Sequence, residues 1–178
     1  MVDGRKVVHT VGHASKITPY LQPFADFLGD LNAESDRGAV LTAAAFIDDL
    51  LGKTIAAFLV EGAKVSELVE DYPGPLSSFS ARILAAHALG LISDNERAEC
   101  SAIRKVRNEF AHVVKMSFDN ERVKSLCSSL KAAVGPQDGL KPNARMQFTT
   151  SAVAVIGNLY NRPHYVSQAR LKFVDWKV

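Results

Sequence analysis

The sequence predicts an all-α protein, an up-down helical bundle of six or seven helices. Apolar residues recur at three- and four-residue steps in several separate stretches, which is the spacing of one helical face. Serine, aspartate or asparagine precedes most of these stretches as a helix N-cap, and glycine or proline follows several of them. The sequence has no series of strand-like runs from which a sheet could form. The chain has 178 residues, 47% of them apolar, so it is long enough for one domain with a substantial core.

The predicted bundle spans residues 19–162, with an N-terminal arm over residues 1–18 and a basic C-terminal arm over residues 163–178. The first helix starts at Pro19, a residue type that suits a first helical turn. We expect Ser35 or Asp36 to cap a long second helix, because apolar residues keep helical spacing over five turns after them. Gly62 is expected to end that helix.

One further helical turn or two is expected within residues 64–72, before the break at residues 73–75 (Pro-Gly-Pro). Ser77 or Ser78 then caps a helix that runs through Leu91. Only two or three residues connect this helix to the next one, so the two should pack as an antiparallel hairpin.

The stretch from residue 93 to residue 112 carries a complete set of helix signals. Ser93 and Glu96 have the spacing of a capping box, in which each side chain accepts a hydrogen bond from a backbone N–H of the first turn. The apolar stripe of this helix consists of Ile103, Val106, Phe110 and Val113. This stripe should face the core of the bundle.

The last part of the bundle is predicted to contain two helices. Phe118 and Val123 flank Asp119 as a hydrophobic staple would, which predicts a helix over residues 119–134. Asn143 caps the final helix, and Pro163 is expected to end it.

The C-terminal arm is the only basic region of the chain. The whole chain carries a net charge of +2, whereas the residues from Lys141 onward include six lysines or arginines and one acid. Cations interleaved with aromatic rings can bind nucleic acid, so Arg170, Lys172 and Trp176 are candidates for such contacts. The alternative is an arm that is anchored on its own bundle or on a second subunit.

Cysteine and histidine spacing predicts no metal site and no cofactor. Cys100 and Cys127 fit neither a metal nor a disulfide pattern and should be small buried residues. His9 and His13 are four residues apart but have no third ligand beside them. His87 lies on an apolar stripe and is expected to be a core histidine. With no secretory signal and no apolar run of about 18 residues, we expect a cytoplasmic protein without a membrane segment.

Polar residues at two helix ends form the predicted functional cluster. Its members are Asp36, Arg37, Arg104, Arg107, Asn108 and His112. Positions 104, 108 and 112 are one helical turn apart, so their side chains share a face with Arg107 beside it.

This cluster has a structural and a functional interpretation. In the structural one, Arg107 pairs with Asp36 or Glu109 and joins two helices, while His112 interacts favourably with a helix dipole. In the functional one, Arg107 stabilises negative charge and His112 transfers a proton, which suits phosphodiester cleavage without a metal. The two residues lie about 140° apart around an ideal helix, so helix fraying or a neighbouring subunit would have to bring them together.

Four sequence blocks follow one another in an order that resembles a known family. They are ESDRG (residues 34–38), GPLSSFSARI (74–83), ALGLI (88–92) and IRKVRNEFAH (103–112). Over roughly residues 34–130 the chain resembles the mannitol operon repressor family of bacterial all-helical proteins. The resemblance implies a non-enzymatic transcriptional regulator of sugar-alcohol uptake. Such a regulator would have no recognised DNA-binding motif, would act through a protein partner and would self-associate as a homodimer.

Arg107, Asn108 and His112 also resemble the RNxxxH motif of HEPN domains, many of which are metal-independent ribonucleases. This resemblance implies a catalytic pair of Arg107 and His112, supported by Asn108, and a toxin-type enzyme. The regulator is our first hypothesis and the ribonuclease is the alternative. Direct binding of nucleic acid through the C-terminal arm ranks last.

Overall fold

The computed structural model describes residues 22–132 and 142–177, and all the regular secondary structure in these ranges is helical. The helices are α1 (Gln22–Ala33), α2 (Asp36–Phe58), α3 (Ala63–Val69), α4 (Phe79–Ala88), α5 (Asp94–His112), α6 (Glu121–Ser128), α7 (Ala144–Tyr160) and α8 (Arg162–Ser167). The predicted all-α fold is therefore confirmed. The N-terminal arm with His9 and His13 and the predicted start at Pro19 lie outside the described residues.

The described residues divide between two units, one that ends at Ala33 and one that begins at Glu34. The first unit contains α1, and the second contains α2 to α8. None of the helices in the described ranges has the length and apolarity needed to cross a membrane.

Helix α2 is the central element of the second unit. It packs against α4, α5, α7 and α8. Its buried residues occupy most of its length: Ala39, Val40, Ala43, Ala44, Ile47, Leu50, Leu51, Gly52, Thr54 and Ile55. The hydroxyl of Thr54 donates a hydrogen bond to the Leu50 carbonyl at 2.7 Å, so this buried polar group has a partner inside the helix.

Three aromatic rings join α5, the segment after it and α7. Phe110 and Phe118 have ring centroids 5.1 Å apart, and Phe118 and Phe148 have centroids 5.7 Å apart. All three side chains are buried. Such tilted ring pairs add to the free energy gained from area burial alone. The predicted apolar stripe of α5 faces this core, except that Val113 is exposed.

The predicted caps are confirmed for four helices. Ser35, Ser78 and Asn143 accept hydrogen bonds from first-turn N–H groups of α2, α4 and α7. Ser93 and Glu96 form the complete capping box of α5. Helix α4 packs against α5, as the short connection between them requires.

The prediction for α6 was wrong at both ends. Asn120, one residue after Asp119, is the N-cap, because its side-chain oxygen accepts from two first-turn N–H groups. The helix ends at Ser128 and does not extend to residue 134. The N–H groups of Lys131 and Ala132 donate to the buried carboxylate of Glu99 on α5, at 2.6 and 3.2 Å, and not to helix carbonyls.

Other helix ends also differ from the prediction. Helix α4 ends at Ala88 and does not run through Leu91. Helix α2 ends at Phe58, and Gly62 is the residue that precedes α3, with a φ of 153°. Helix α7, predicted as the last helix, ends at Tyr160 before Pro163, but Pro163 also lies in the first turn of a further helix, α8, which was not predicted. A first turn tolerates proline because its N–H groups have no partner within the helix. After α8, the Leu171 N–H donates to the Phe58 carbonyl at 2.8 Å and ties the C-terminal arm to the end of α2.

The cysteine prediction is confirmed, whereas the histidine prediction is wrong. Cys100 and Cys127 are both buried, and burial raises the pKa of each thiol to about 12. His87 is not a core residue: its side chain is half-buried in the last turn of α4. Its Nε2 lies 2.9 Å from the Asp94 carboxylate in the first turn of α5.

Candidate functional site

The start of α2 and the end of α5 meet through Arg37, a residue of the predicted cluster. The Arg37 guanidinium donates to the carbonyls of Ala111 and Val113, at 3.2 and 3.1 Å. These are carbonyls of the last turn and C-cap of α5, where the backbone lacks partners of its own and the helix dipole is negative. Arg37 therefore acts as a cap that holds α5 against α2.

Asp36 has a different partner from the one predicted. Its carboxylate accepts a hydrogen bond from the Arg145 guanidinium of α7 and one from the Phe118 N–H at 3.4 Å. The second terminal nitrogen of Arg145 donates to the Glu34 carbonyl at 2.7 Å. Arg145 thus joins α7 to the start of α2. Sequence analysis missed this residue because its two partners lie more than a hundred positions earlier in the chain.

The predicted pairing of Arg107 with Asp36 or Glu109 is wrong. Glu109 accepts from the Arg122 Nε at 2.7 Å, and Asp36 is held by Arg145. Arg107 is exposed and donates to the side-chain oxygen of Asn108 at 3.2 Å.

The remaining predicted residues of α5 face outward. Asn108 and Arg104 are half-buried, and His112 is exposed in the last turn. No group of three or more His, Cys, Asp or Glu side chains is placed to hold a metal ion in the part of the chain that the structure describes. The exposed Arg107 cation and His112 imidazole and the half-buried Asn108 amide can donate hydrogen bonds to an anionic or polar ligand.

Arg82 gives the sequence block of residues 74–83 a structural role. Its guanidinium is only 15% exposed and donates to the carbonyls of Leu76 and Val69, at 2.9 and 2.8 Å, and to the Asp48 carboxylate at 3.1 Å. Burial raises the pKa of Asp48, and the charges of Arg82 and then Arg107 oppose this rise. Arg82 therefore joins α2, α3 and α4 into one structural unit.

Gly74 has a packing role in the same block. A Cβ atom at this position would lie 2.5 Å from the Asp71 carbonyl oxygen and 2.7 Å from the Glu67 carbonyl oxygen. No other amino acid fits there without a backbone shift. This block is thus accounted for by the fold itself, whereas Arg107 and His112 are not.

The three residues of the C-terminal arm that were predicted to contact nucleic acid differ in their exposure and in their partners. Arg170 lies 3.8 Å from the Glu61 carboxylate. Lys172 and Trp176 are exposed, and the Trp176 side chain is 81% exposed. One of the three candidate residues for nucleic-acid contacts thus has a carboxylate partner within the protein.

Comparison with solved structures finds a similar fold in the X-ray structure of the MtlR–HPr complex from Escherichia coli. The TM-score is 0.54 and the sequence identity 20%, over 83% of this chain and 98% of that chain. No model of a protein family matches the sequence, and comparison with curated proteins finds no match. At this identity the likeness concerns the fold alone: the chain shares its fold with a chain of that complex.

Proposed function

We propose that this chain is a regulator of the mannitol-repressor type that acts by binding another protein. The observation that carries the proposal is the structural likeness to a chain of the MtlR–HPr complex, which extends over nearly the whole of that chain. The four sequence blocks support it, because they follow one another in an order that resembles the mannitol operon repressor family. HPr, the protein named with MtlR in that complex, is the partner we propose for this chain.

The cluster residues have two different roles in this proposal. Asp36 and Arg37 hold the start of α2 against α7 and α5, so they position the surface and do not contact the partner. Arg107, Asn108 and His112 are the contact residues, because their polar groups point outward and two of the three side chains are exposed.

Retention of the chain on immobilised HPr tests this assignment. The wild-type chain should be retained and should be eluted by free HPr. Arg107→Ala and His112→Ala should weaken retention, whereas Lys172→Ala, an exposed change in the C-terminal arm, should not. Equal retention of all variants would remove Arg107 and His112 from the proposed contact surface.

Repression of sugar-alcohol uptake genes, a cytoplasmic location and a homodimer belong to the same proposal. The regulatory role rests on the sequence resemblance to the mannitol operon repressor family. Sedimentation equilibrium at several protein concentrations measures the oligomeric state directly, and a single monomeric mass would contradict the homodimer.

A metal-independent ribonuclease is the second candidate function. One observation favours it: Arg107 and His112 are exposed, and the two carboxylates expected to pair with Arg107 are bound elsewhere. In this mechanism His112 transfers the proton at the reacting oxygen, and Arg107, held by Asn108, stabilises the charge on the phosphate. Both residues lie in the continuous helix α5, about 140° apart around its axis, so a neighbouring subunit would have to supply one of them. RNA cleavage by the purified chain in a metal chelator, lost in His112→Ala at an unchanged melting temperature, would establish it.

A further inference from the structure

Helix α5 separates its charges between its two sides. The carboxylates of Glu96, Glu99 and Glu109 all form hydrogen bonds or ion pairs with residues outside α5. Glu96 accepts from Arg162 at 2.7 Å, Glu109 accepts from Arg122 at 2.7 Å, and Glu99 accepts from the Ser151 hydroxyl and two backbone N–H groups. The acidic groups of the middle of α5 therefore bind the bundle together and leave little negative charge for the outer side.

The cationic groups beside these carboxylates face solvent. Among the described residues, Arg104 and Lys105 form no ion pair, and neither does Lys131, which follows α6. Arg97 has Asp94 at 3.9 Å, a long contact with a side chain that is itself 85% exposed. The outer side of α5 is therefore a basic surface with little internal compensation.

Two shallow clefts run along this side of α5. The cleft towards α4 has a volume of about 140 Å³, and the cleft towards α6 has a volume of about 310 Å³. Arg97 and Ser101 line both clefts, and Ala98 and Ala102 line the second. Glu99 also lines the second cleft, but its carboxylate is bound by the Ser151 hydroxyl and two backbone N–H groups. We call the line of small residues Ala98, Ser101 and Ala102 the α5 ridge. It lets another helix approach closely, because the distance between helix axes depends on the side chains at the contact.

Apolar side chains lie on both sides of the α5 ridge. Leu84 of α4 is 67% exposed in the first cleft, and Leu126 of α6 lines the second and is half-buried. Arg104 lines the first cleft, and Lys105 and Lys131 line the second. An apolar centre of small residues with leucines beside it and cations around it suits a helix that has both apolar and acidic faces.

We infer that the α5 ridge binds an acidic amphipathic helix of a protein partner. The apolar face of that helix packs on the ridge and on Leu84 and Leu126, and its carboxylates pair with Arg104, Lys105 and Lys131. Nucleic acid fits less well, because no aromatic ring lines either cleft for base stacking. The inference rests on the proposed function, a protein-binding regulator, and names the chemistry of the segment that the partner offers.

The test uses fluorescence anisotropy with three labelled probes. The first is a peptide of about 18 residues, five helical turns, with leucine at helical spacing and glutamate at the other positions. The second has lysine in place of each glutamate, and the third is a single-stranded RNA. We expect the full-length chain to bind the acidic peptide, with an affinity that falls as salt is raised, and to bind the lysine peptide at least about tenfold more weakly.

Two variants place the binding on the ridge. The double change Arg104→Glu with Lys105→Glu should weaken acidic-peptide binding by about tenfold or more. Ala98→Trp, at an exposed position, should weaken it by filling the ridge. The matched control is Lys172→Glu with Lys177→Glu, the same charge change at exposed positions of the C-terminal arm, which should leave the affinity unchanged.

Several results would overturn the inference. One is equal affinity of the ridge variant and its control for the acidic peptide. Another is that the wild-type chain binds the RNA but not the peptide, and that the ridge variant loses the RNA binding. A dimer that Ala98→Trp dissociates would assign the ridge to a second copy of this chain. HPr retention tests the proposed function separately: retention that the ridge variants leave unchanged keeps that function and removes the ridge as its site. Peptide binding at the ridge without HPr retention would keep the ridge as a binding site and would remove HPr as the proposed partner.

Discussion

Arg145 holds the carboxylate of Asp36 and so joins the first turn of α7 to the first turn of α2. The same carboxylate accepts the Phe118 N–H, and the next residue, Arg37, caps the end of α5. Three helix ends therefore meet around two consecutive residues. Arg107, which sequence analysis placed in this contact, stays exposed on α5.

Asp36→Ala should lower the free energy of unfolding by about 1–3 kcal/mol, because it leaves the Arg145 guanidinium and the Phe118 N–H without their acceptor. Arg107→Ala should change it by no more than about 0.5 kcal/mol, as expected for an exposed side chain. Urea denaturation followed by circular dichroism measures both values. A larger loss for Arg107→Ala than for Asp36→Ala would show that the contact assigned to Arg145 is wrong.

The contrast between these two residues shows what the sequence could predict. The period of apolar residues and the caps at Ser35, Ser78, Ser93 and Asn143 suffice for most helices, because these signals act over four or five neighbouring positions. The partner of Asp36 could not be predicted, since Arg145 is 109 positions away and only the folded bundle brings it close.

The early end of α6 and the unpredicted helix α8 have different causes. Helix α6 ends early because Glu99, from another helix, takes the N–H groups of Lys131 and Ala132. Proline can stop one helix or start the next, and its position relative to the preceding helix end decides which. Helical spacing identified the outward face of α5 correctly. It could not show that Asp36 and Glu109 would pair with arginines other than Arg107.

The pair of Glu96 and Arg162 should make stability depend on pH. Burial by itself would raise the pKa of Glu96, but the Ser93 N–H and the Arg162 guanidinium together lower it below its ordinary value of 4.5. The ionised form thus stabilises the fold. This contribution is present above about pH 4.5 and is lost as pH falls through the lowered pKa.

Arg162→Gln should therefore reduce stability most at neutral pH, and the gap to the wild type should narrow on acidification. Part of the gap should persist at low pH, because Arg162 also donates to the Leu91 carbonyl at 2.6 Å. Melting temperatures measured at several values between pH 3 and pH 7 give the comparison. A gap that widens towards low pH would contradict the assigned sign.

Phe110→Ala should cost about 3–5 kcal/mol, because the ring is fully buried and contacts Phe118 at the centre of the aromatic group. Val114→Ala, four residues later and 87% exposed, is the matched control and should cost little. Chemical denaturation of both variants tests this. Equal costs would mean that α5 does not bury the face described for it.

Deletions in the C-terminal arm test its contribution to stability and to nucleic-acid binding. Removing residues 173–178 should leave the melting temperature unchanged, whereas removal from residue 164 should lower it, because α8 packs on α2. If Lys172 and Trp176 contact nucleic acid, binding by the intact chain should fall steeply with salt and should be lost on removal of residues 172–178. Retention of DNA or RNA that is unaffected by this deletion would rule out the arm as the binding site.

The central claim is that this bundle works by binding another protein, for which HPr is the proposed partner. Calorimetric titration of the purified chain with purified HPr tests it most directly. Measurement at two temperatures ensures that a binding enthalpy near zero at one of them does not hide an interaction. We predict saturable binding at both temperatures, weakened by His112→Ala and unchanged by Lys172→Ala. The absence of any saturable heat at HPr concentrations up to about 1 mM, a level that would reveal even weak association, would contradict the account.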